Sequence, residues 1–522
     1  MVIMIRYRFR LPAFGSIYGN RQSVACPENK NAFIIHRNNS ATSKIYVSSS
    51  NNALKSYDTL PGEWKSKWST LYKILKKNDF KNLHKIMVNK FDMYGPIFRE
   101  QIGHYGSVNI IKPEDAATLF KAEGMFPRRL SVLPWLDYRE HRKQKCGVLL
   151  QNGEEWRKTR MVLNKEVIAP NIIHKFVPFI NDVVLDFVSM LHKRIKENSK
   201  DEWTFEPMND LFKFSLESIC HVLYGERLGL LEDSQKTACQ QYIDSITLMF
   251  RTTTPMLYIP PRLLKLINSK IWVDHVDAWD VIFAHANICI EKIRQQYNLG
   301  LINEKEYSGV LANLLIKEKL PIDNLKSSIV ELMAGGVDTT SITLLWTMYE
   351  LARNPNLQEK LRNEILAAEQ ETHGDLFKTL QFVPLVKATL KETLRLYPVA
   401  VSLQRYITED IVLQNYVIPT GTLVQVGLYA MGRNAEIFTN PEQYIPERWL
   451  KTETNYFKNL GFGFGSRQCI GRRIAETEMQ LFLIQMLKNF NIETSGLPKL
   501  NTNFDLILVP EIPINLTLKI IN

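Results

Sequence analysis

Helical spacing of apolar residues dominates the chain from about residue 64 to residue 396. Apolar side chains recur at intervals of three and four in segments such as 180–195 and 211–223, which is the period of an amphipathic α-helix. Proline and glycine interrupt this pattern at Gly95-Pro96, Pro260-Pro261 and Asn354-Pro355. The pattern therefore predicts a succession of helices separated by short turns.

The longest helical segment begins at Asp323, a candidate N-cap, and continues to about Arg353, where the Asn-Pro step should end it. About thirty residues at the helical rise make a rod of roughly 45 Å, long enough to cross the whole molecule. A further amphipathic helix is predicted from Arg472 to Asn489.

Strand signals are confined mainly to residues 411–431, where the apolar runs 411–413 and 423–426 flank the turn-like segment 419–421. No internal repeat is present. The pattern predicts a mainly α fold with a small β region.

Length and charge change this picture at the N-terminus. The 522 residues would suggest about three domains, but no linker follows about residue 60, so we expect one domain over residues 41–522. The net charge is +11, and the first fifty residues hold seven basic residues against one acidic residue. This composition predicts a mitochondrial presequence over residues 1–40, with a disordered basic tail as the alternative.

Composition also argues against several classes of protein. No run of about 18 apolar residues occurs, so a transmembrane helix is not expected. The six cysteines have no paired spacing, which argues against a disulfide framework and a zinc ribbon. No basic stripe is interleaved with aromatic residues, so we expect no nucleic-acid partner.

A glycine-rich loop at residues 461–471 carries the candidate chemistry. It surrounds Cys469 with glycines and is followed at once by the helix that begins at Arg472. A dinucleotide fingerprint would need glycine where Ser466 stands, and no Gly-x-Ser-x-Gly elbow is present. What remains is a thiolate at a helix N-terminus, where backbone amides and the helix dipole favour an anionic metal ligand.

The long predicted helix holds the adjacent glycines Gly335 and Gly336. Each glycine in a helix interior costs about 1 kcal/mol relative to alanine. A ligand that approaches the backbone would explain them; a packing pair with a local kink is the alternative.

The motif Phe462-x-x-Gly465-x-Arg467-x-Cys469-x-Gly471 resembles the haem-binding signature of the cytochrome P450 monooxygenases. The resemblance implies that haem b is the cofactor and that the Cys469 thiolate binds its iron. It also implies that Arg467 pairs with a haem propionate and that the Trp156–Arg160 helix clamps the propionates. The cofactor-binding set implied in this way is Cys469, Arg467, Trp156, Arg160, Arg405, Phe462, Gly463 and Gly471.

Two further elements match the family in order and spacing. Glu392 and Arg395 lie one helical turn apart and, with Arg448, resemble the buried ion-pair cluster of the family; alone, they would be a surface pair. In the family, the element that contains Asp338 and Thr339 lies beside the oxygen site, so these two residues are the expected catalytic proton donors.

The N-terminal presequence resembles that of the mitochondrial branch of the family. This implies electrons from an acidic adrenodoxin-type [2Fe-2S] ferredoxin, with an NADPH-dependent reductase upstream, and a peripheral location on the matrix side of the inner membrane. The docking residues expected by resemblance are Lys387, Lys391, Arg472 and Arg473, any of which alone could be a solvated charge.

Within that branch, the chain resembles the members that cleave the cholesterol side chain to give pregnenolone. The sterol pocket implied by resemblance contains Trp135, Met249, Phe250, Ala400, Val401, Gln404, Leu506 and Ile507, although each could be plain core. Ala400 and Phe464 stand where mammalian members have serine and tryptophan. The alternatives are another mitochondrial sterol or steroid hydroxylase, or a haem-bound sterol carrier or sensor without catalysis.

The apolar segments 256–261 and 263–267 are joined with the basic residues Arg262, Lys265 and Lys270. The mixture is typical of a segment that lies in a membrane surface, and a buried loop between helices is the alternative.

Overall fold

The computed structural model describes residues 53–198, 201–232, 237–302, 307–317, 320–451, 455–494 and 500–521. The presequence predicted for residues 1–40 and its boundary with the domain lie outside the described residues. Helices form most of the described chain, as the sequence predicted. They are α1 (Lys67–Lys77), α2 (Leu83–Tyr94), α3 (Pro113–Lys121), α4 (Leu133–Arg142), α5 (Gly153–Val167), α6 (Ile173–Glu197), α7 (Met208–Tyr224), α8 (Thr237–Tyr258), α9 (Pro261–Leu266), α10 (Lys270–Asn298), α11 (Val310–Ile316), α12 (Ile322–Ala352), α13 (Pro355–Glu371), α14 (Leu376–Thr379), α15 (Pro384–Leu396), α16 (Leu428–Arg433) and α17 (Arg472–Asn489).

Small sheets accompany these helices. The strands are β1 (Ile97–Ile102), β2 (Tyr105–Ile110), β3 (Glu202–Phe205), β4 (Ser402–Tyr406), β5 (Ile411–Leu413), β6 (Tyr416–Ile418), β7 (Leu423–Gly427), β8 (Phe490–Glu493), β9 (Thr502–Asp505), β10 (Ile507–Pro510) and β11 (Leu516–Ile520). One sheet has the order β1-β2-β7-β4, with β2 and β7 parallel, and another has the order β3-β11-β8. The pairs β5-β6 and β9-β10 are antiparallel hairpins.

The prediction that strands are confined mainly to residues 411–431 was wrong. The hairpin β1-β2 lies inside the region predicted as helical, and β3, β4 and β8–β11 lie outside the predicted β region. These strands are four to six residues long, and such short apolar runs cannot be separated from helix by period alone. Phe98, Val108 and Ile110 are fully buried in one cluster with Val424 and Val426 of β7, so contacts distant in sequence help to specify these strands.

Helix α12 crosses the core as the sequence predicted, with 31 residues. It begins at Ile322 with Pro321 at the N-cap position, so the prediction that Asp323 is the N-cap was wrong. Proline has the fixed φ that suits a helix start, and Asp323 instead places its charge in the first turn, where the helix dipole favours it. α12 packs against α7, α8, α10 and α15.

Helix α17 begins and ends at the predicted residues. Its last two-thirds are buried nearly all round, because it packs against α6, α12, α13 and α15. The N-terminus of α17, and the glycine-rich loop before it, are therefore anchored to the centre of the molecule. This core fixes the position of the candidate site.

Candidate active site

The glycine-rich loop closes on itself just before α17. The backbone N–H of Cys469 donates to the carbonyl of Phe462 at 2.8 Å. Gly463 and Gly465 have φ values of +73° and +70°, in the left-handed region that favours glycine. A Cβ atom on Gly465 would also overlap the carboxylate of Glu123. The loop conformation therefore requires glycine at these two positions.

Cys469 lies on the wall of an interior space. Its side chain has accessible surface, yet the surrounding protein is close enough that burial raises the pKa of the thiol. The backbone N–H of Gly471 and the guanidinium groups of Arg160 and Arg129 oppose this shift and lower the pKa. The protein thus supplies the positive groups that a thiolate needs, but it does not balance the desolvation of the thiolate by itself. An added cation at the sulfur would do so.

Four arginines converge beside this loop. Burial and mutual repulsion lower the pKa of Arg467 to about 8, and burial lowers the pKa of Arg129 and of Arg160 to about 10. The fourth, Arg405, pairs with Glu123 at 2.7 Å. Nη1 of Arg467 and Nε of Arg160 are buried without a hydrogen-bond partner. This surplus of positive charge fits a doubly anionic group such as the two propionates of haem.

Neighbouring backbone groups hold these arginines in place. Arg467 donates to the carbonyls of Pro127 and Gln151 at 2.9 and 2.8 Å, and its guanidinium carbon lies 3.9 Å from the ring centre of Trp156. Arg160 donates to the carbonyl of Gln468 at 2.7 Å. The structure therefore brings Trp156, Arg160 and Arg467 together at the glycine-rich loop.

Sequence reasoning missed Arg129 and Glu123. Arg129 donates to the carbonyl of Leu149 at 3.1 Å and joins the arginine cluster from the loop before α4. Its sequence neighbour Arg128 instead stacks on Tyr406 at 5.4 Å. Nothing in the sequence distinguishes these two adjacent arginines.

The glycines of α12 have different environments. A Cβ atom on Gly335 would meet no atom within 4 Å, whereas one on Gly336 would lie 3.0 Å from Ile219. Gly335 is exposed in the middle of a buried helix, so it faces an interior space as the sequence reasoning expected of a ligand site. Gly336 instead packs against Ile219, which agrees with the alternative that glycine is needed here for close packing.

The two predicted proton donors lie on the same helix but have different partners. Asp338 is 1% exposed, and burial raises the pKa of its carboxyl group to about 7. Its Oδ2 accepts a hydrogen bond from Thr247 of α8 at 3.2 Å, while Oδ1 is buried without a partner. Thr339 is half-buried and donates to the carbonyl of Gly335 at 2.7 Å. Sequence reasoning did not identify Thr247.

Glu392 and Arg395 form a buried cluster and not a surface pair. Their side chains are 0% and 1% exposed, with two hydrogen bonds of 2.7 and 2.9 Å between them. Arg448 and Trp449 also donate to the Glu392 carboxylate, at 3.1 and 2.8 Å. The cluster ties α15 to the segment that precedes the glycine-rich loop.

The expected sterol residues form two groups. In the first, the Trp135 ring lies 6.3 Å from that of Phe250, and the Trp135 indole donates to Thr253, which bonds the carbonyl of Met249. The second group lies around the β9-β10 hairpin, which packs against α8. The backbone N–H of Leu508 in this hairpin donates to the carbonyl of Val399, the residue before Ala400 and Val401. At the hairpin tip Leu506 has φ +64°, a strained value for leucine. Gln404 joins neither group, because its side-chain amide bonds Ser402 and Gln425 within the sheet.

Three of the four expected docking residues have Glu476 as a common acidic neighbour. Arg472 and Arg473 bond Glu476 at 2.9 and 3.5 Å, and the Glu476 charge also acts on Lys387. Lys391, one turn beyond Lys387 on α15, is exposed. The structure thus brings the basic residues of α15 and α17 to one patch with a net positive charge.

Comparison with known proteins agrees with this arrangement. The cytochrome P450 family profile matches residues 61–518. The chain is 54% identical over 500 residues to the mitochondrial cholesterol side-chain cleavage enzyme of Oncorhynchus mykiss, covering 96% of this chain and 97% of that protein. The enzyme of the same name from Hypanus americanus is 52% identical over 508 residues, covering 97% and 99%. Mitochondrial cytochrome P450 11B of Aquarana catesbeiana is 49% identical over 463 residues, covering 89% of each chain.

The family match accounts for the features of the interior site. Members hold haem through a cysteine thiolate, and the described residues offer an interior cysteine and a cluster of underpaired arginines for that group. The chain belongs to the cytochrome P450 family and is a haem-thiolate monooxygenase.

Proposed function

We propose that the chain cleaves the side chain of cholesterol, by two successive hydroxylations of adjacent carbons and cleavage of the bond between them, to give pregnenolone. The observation that carries the proposal is Cys469, an interior thiol beside a surplus of buried arginine charge. The relatives named for this reaction, at 54% and 52% identity over nearly the whole chain, support the choice of substrate.

In this proposal Cys469 holds the haem iron, and Arg129, Arg160 and Arg467 hold the propionates, helped by Arg405 and Trp156. Haem, when bound, would supply the activation of dioxygen, which is the oxidant: with two electrons from ferredoxin, one oxygen atom enters the sterol and the other leaves as water. Phe462, Gly463 and Gly471 shape the loop around the sulfur. Because the protein surrounds the sulfur with backbone amides and guanidinium groups, the thiolate form is favoured once a cation binds it.

Asp338 and Thr339 move protons in this proposal. A carboxyl group with a pKa of about 7 can both release and accept a proton near neutral pH, as a proton relay requires. Gly335 leaves open space beside the Thr339 hydroxyl on the same face of α12. The two residues together give a route for protons from the α8 side of the helix to the interior space.

In this proposal, apolar residues of α4, α8 and the β9-β10 hairpin position the sterol. Trp135, Met249, Phe250, Val401 and Ile507 are buried, and Leu506 is held at a hairpin tip. Ala400 is exposed beside them. We assign Gln404 a supporting role in the sheet, since its amide is already bonded there.

Electrons are proposed to come from an acidic [2Fe-2S] ferredoxin, reduced by its NADPH-dependent reductase. The basic patch of Lys387, Lys391, Arg472 and Arg473 supports this partner, because complementary charge speeds association and orients the complex. The relatives are named mitochondrial, and we propose that this chain acts on the matrix side of the inner mitochondrial membrane.

Exposed apolar residues on α1 and α9 support contact with that membrane. No helix among the described residues is long and apolar enough to cross a bilayer. In α9 and the residue after it, Leu263, Leu266 and Ile267 are 51%, 82% and 63% exposed, which favours a surface position for segment 263–267. In segment 256–261, by contrast, Met256 and Pro261 are buried, in agreement with the alternative of a buried loop. The exposed apolar residues of α1 and α9, flanked by lysines, suit an interfacial position: Trp68, Tyr72, Leu75, Leu263, Leu266 and Ile267.

The experiment is a reconstituted assay with cholesterol, ferredoxin, reductase and NADPH. We expect pregnenolone, and loss of both product and the thiolate-type carbon monoxide spectrum in Cys469→Ser. A different hydroxysteroid in place of pregnenolone would favour a sibling hydroxylase, an alternative that the 49% identity to cytochrome P450 11B supports. A thiolate spectrum without oxygen consumption on any sterol would indicate a carrier.

A further inference from the structure

A buried arginine with unsatisfied donors lies away from the arginine cluster of the site. Arg139 of α4 is 2% exposed, and its Nε, Nη1 and Nη2 have no hydrogen-bond partner. Its guanidinium carbon lies 4.1 and 4.4 Å from the ring centres of Trp279 and Phe283. Its Nη2 is 3.9 Å from the carboxylate of Glu331. The positive charge of Arg139 therefore acts on the Glu331 carboxylate, although Arg139 donates no hydrogen bond to it.

Glu331 uses its hydrogen bonds elsewhere. Its two oxygens accept from the backbone N–H groups of Gly147 and Leu149, at 2.8 and 2.7 Å. A Cβ atom on Gly147 would lie 2.5 Å from Oε2 of Glu331, so the glycine is required for this close approach. Glu331 lies on α12, one turn before Gly335. The carboxylate thus fastens residues 147–152, which we name the strap, to the helix that borders the interior space.

The strap in turn holds two arginines of the site. The carbonyl of Leu149 accepts from Arg129 at 3.1 Å. The carbonyl of Gln151 and the side chain of Asn152 accept from Arg467 at 2.8 and 2.7 Å. A shift of the strap would therefore turn both guanidinium groups away from their present directions.

We propose that the Arg139–Glu331 pair is a positioning device for the haem propionates: it fixes the strap, whose backbone and Asn152 direct Arg129 and Arg467 toward them. The inference rests on the proposed function, because it takes these arginines as propionate ligands. A buried pair without direct hydrogen bonds contributes little net stability of its own. Burial raises the pKa of the Glu331 carboxyl group, and the nearby Arg139 charge lowers it, so Arg139 favours the carboxylate form. A carboxylate accepts the two strap amides more strongly than a neutral acid does.

The test compares haem release from holoenzyme variants. Glu331→Gln removes the charge and one acceptor, and Glu331→Asp keeps the charge but shortens the reach. Glu217→Gln is the matched control, because Glu217 is also fully buried, pairs with Arg227 and accepts from backbone N–H groups of a following loop, at Leu228, Gly229 and Leu230. The readouts are the rate of haem transfer to apomyoglobin, the propionate bands in resonance Raman spectra and the unfolding midpoint.

We expect Glu331→Gln to release haem about tenfold faster, as the loss of one charge-assisted hydrogen bond would allow, with shifted propionate bands and a smaller effect in Glu331→Asp. Glu217→Gln should lower the unfolding midpoint without changing either haem readout. If Glu331→Gln does not fold, Glu331→Asp decides, and haem release like that of wild type overturns the inference. Equal acceleration in Glu217→Gln also overturns it. A wild-type chain that takes up no haem would overturn the proposed function and this inference together.

Discussion

Two residues, Gly335 and Cys469, are enclosed by the fold and yet have free space beside them. Gly335 has no neighbour within 4 Å where a Cβ would stand, and Cys469 has accessible surface although burial raises its pKa. The adjacent Gly336 touches Ile219 and has no such space. The difference between neighbours shows that the space is specific to one face of α12.

Asp338 should make the stability of the protein depend on pH. Its folded pKa of about 7 exceeds the ordinary value of 3.8, because burial disfavours the charged form. The folded state is therefore penalised as pH rises from about 4 to about 7. Relative to wild type, Asp338→Asn should gain up to about 1.4 kcal/mol of unfolding free energy per pH unit in that window, and no more above it. Denaturant unfolding of both holoenzymes across this range measures the difference; a difference that does not vary with pH would contradict the assignment.

Thr247 should tune the same carboxyl group from α8. Its hydrogen bond lowers the pKa of Asp338, so Thr247→Val should raise that pKa by about half to one unit. The pH profile of sterol oxidation should then shift upward by the same amount. Ser245→Ala is the matched control, because the Ser245 hydroxyl bonds Gln241 of its own helix. Equal shifts in the two variants would argue against a specific effect on Asp338.

At the scale of elements, buried charge clusters join helices to irregular segments. Glu392 links α15 to Arg448, Trp449 and the backbone N–H of Ile445, all before the glycine-rich loop. Glu364 of α13 bonds the N-terminal amides of α15. These contacts hold α15, which carries Lys387 and Lys391 of the basic patch, in a fixed position relative to the glycine-rich loop.

Breaking the Glu392 cluster should destabilise the whole fold. Glu392→Gln leaves two guanidinium groups without their countercharge, and removal of one partner from a buried pair costs about 3–5 kcal/mol. The exposed pair of Lys270 and Asp274 provides the control, since Lys270→Ala should change the unfolding free energy by about 0.5 kcal/mol or less. Unfolding curves and haem content of both variants test this. If both variants lost similar amounts of unfolding free energy, the buried Glu392 cluster would stabilise the fold no more than an exposed ion pair does.

For the whole molecule, the sequence predicted the features that local pattern specifies. The bounds of α17 and the presence of the long helix follow from the helical period of apolar residues. The glycine-rich loop follows from the placement of its glycines around Cys469. The missed features depend on partners distant in sequence. Arg129 joins residues of the glycine-rich loop more than three hundred positions away, and Glu331 contacts a segment about 180 positions earlier. The short strands likewise owe their conformation to pairing across the chain, as when β2 pairs with β7.

The exposed apolar residues of α1 and α9 should act as one membrane-facing surface. A Cβ on Gly103 would lie 3.1 Å from Leu71 of α1 and 3.3 Å from the carbonyl of Tyr258 at the end of α8, three residues before α9 begins, so α1 lies near the segment that leads into α9. Leu266→Asp should weaken binding to vesicles that contain anionic lipid by about tenfold. The substitution removes an apolar side chain that would enter the lipid and adds a negative charge that the anionic lipid repels. Ile288→Asp changes an apolar residue on α10 that is 70% exposed, and it should leave binding near wild type. Equal weakening by both substitutions in a vesicle flotation assay would show that general charge, and not this surface, governs attachment.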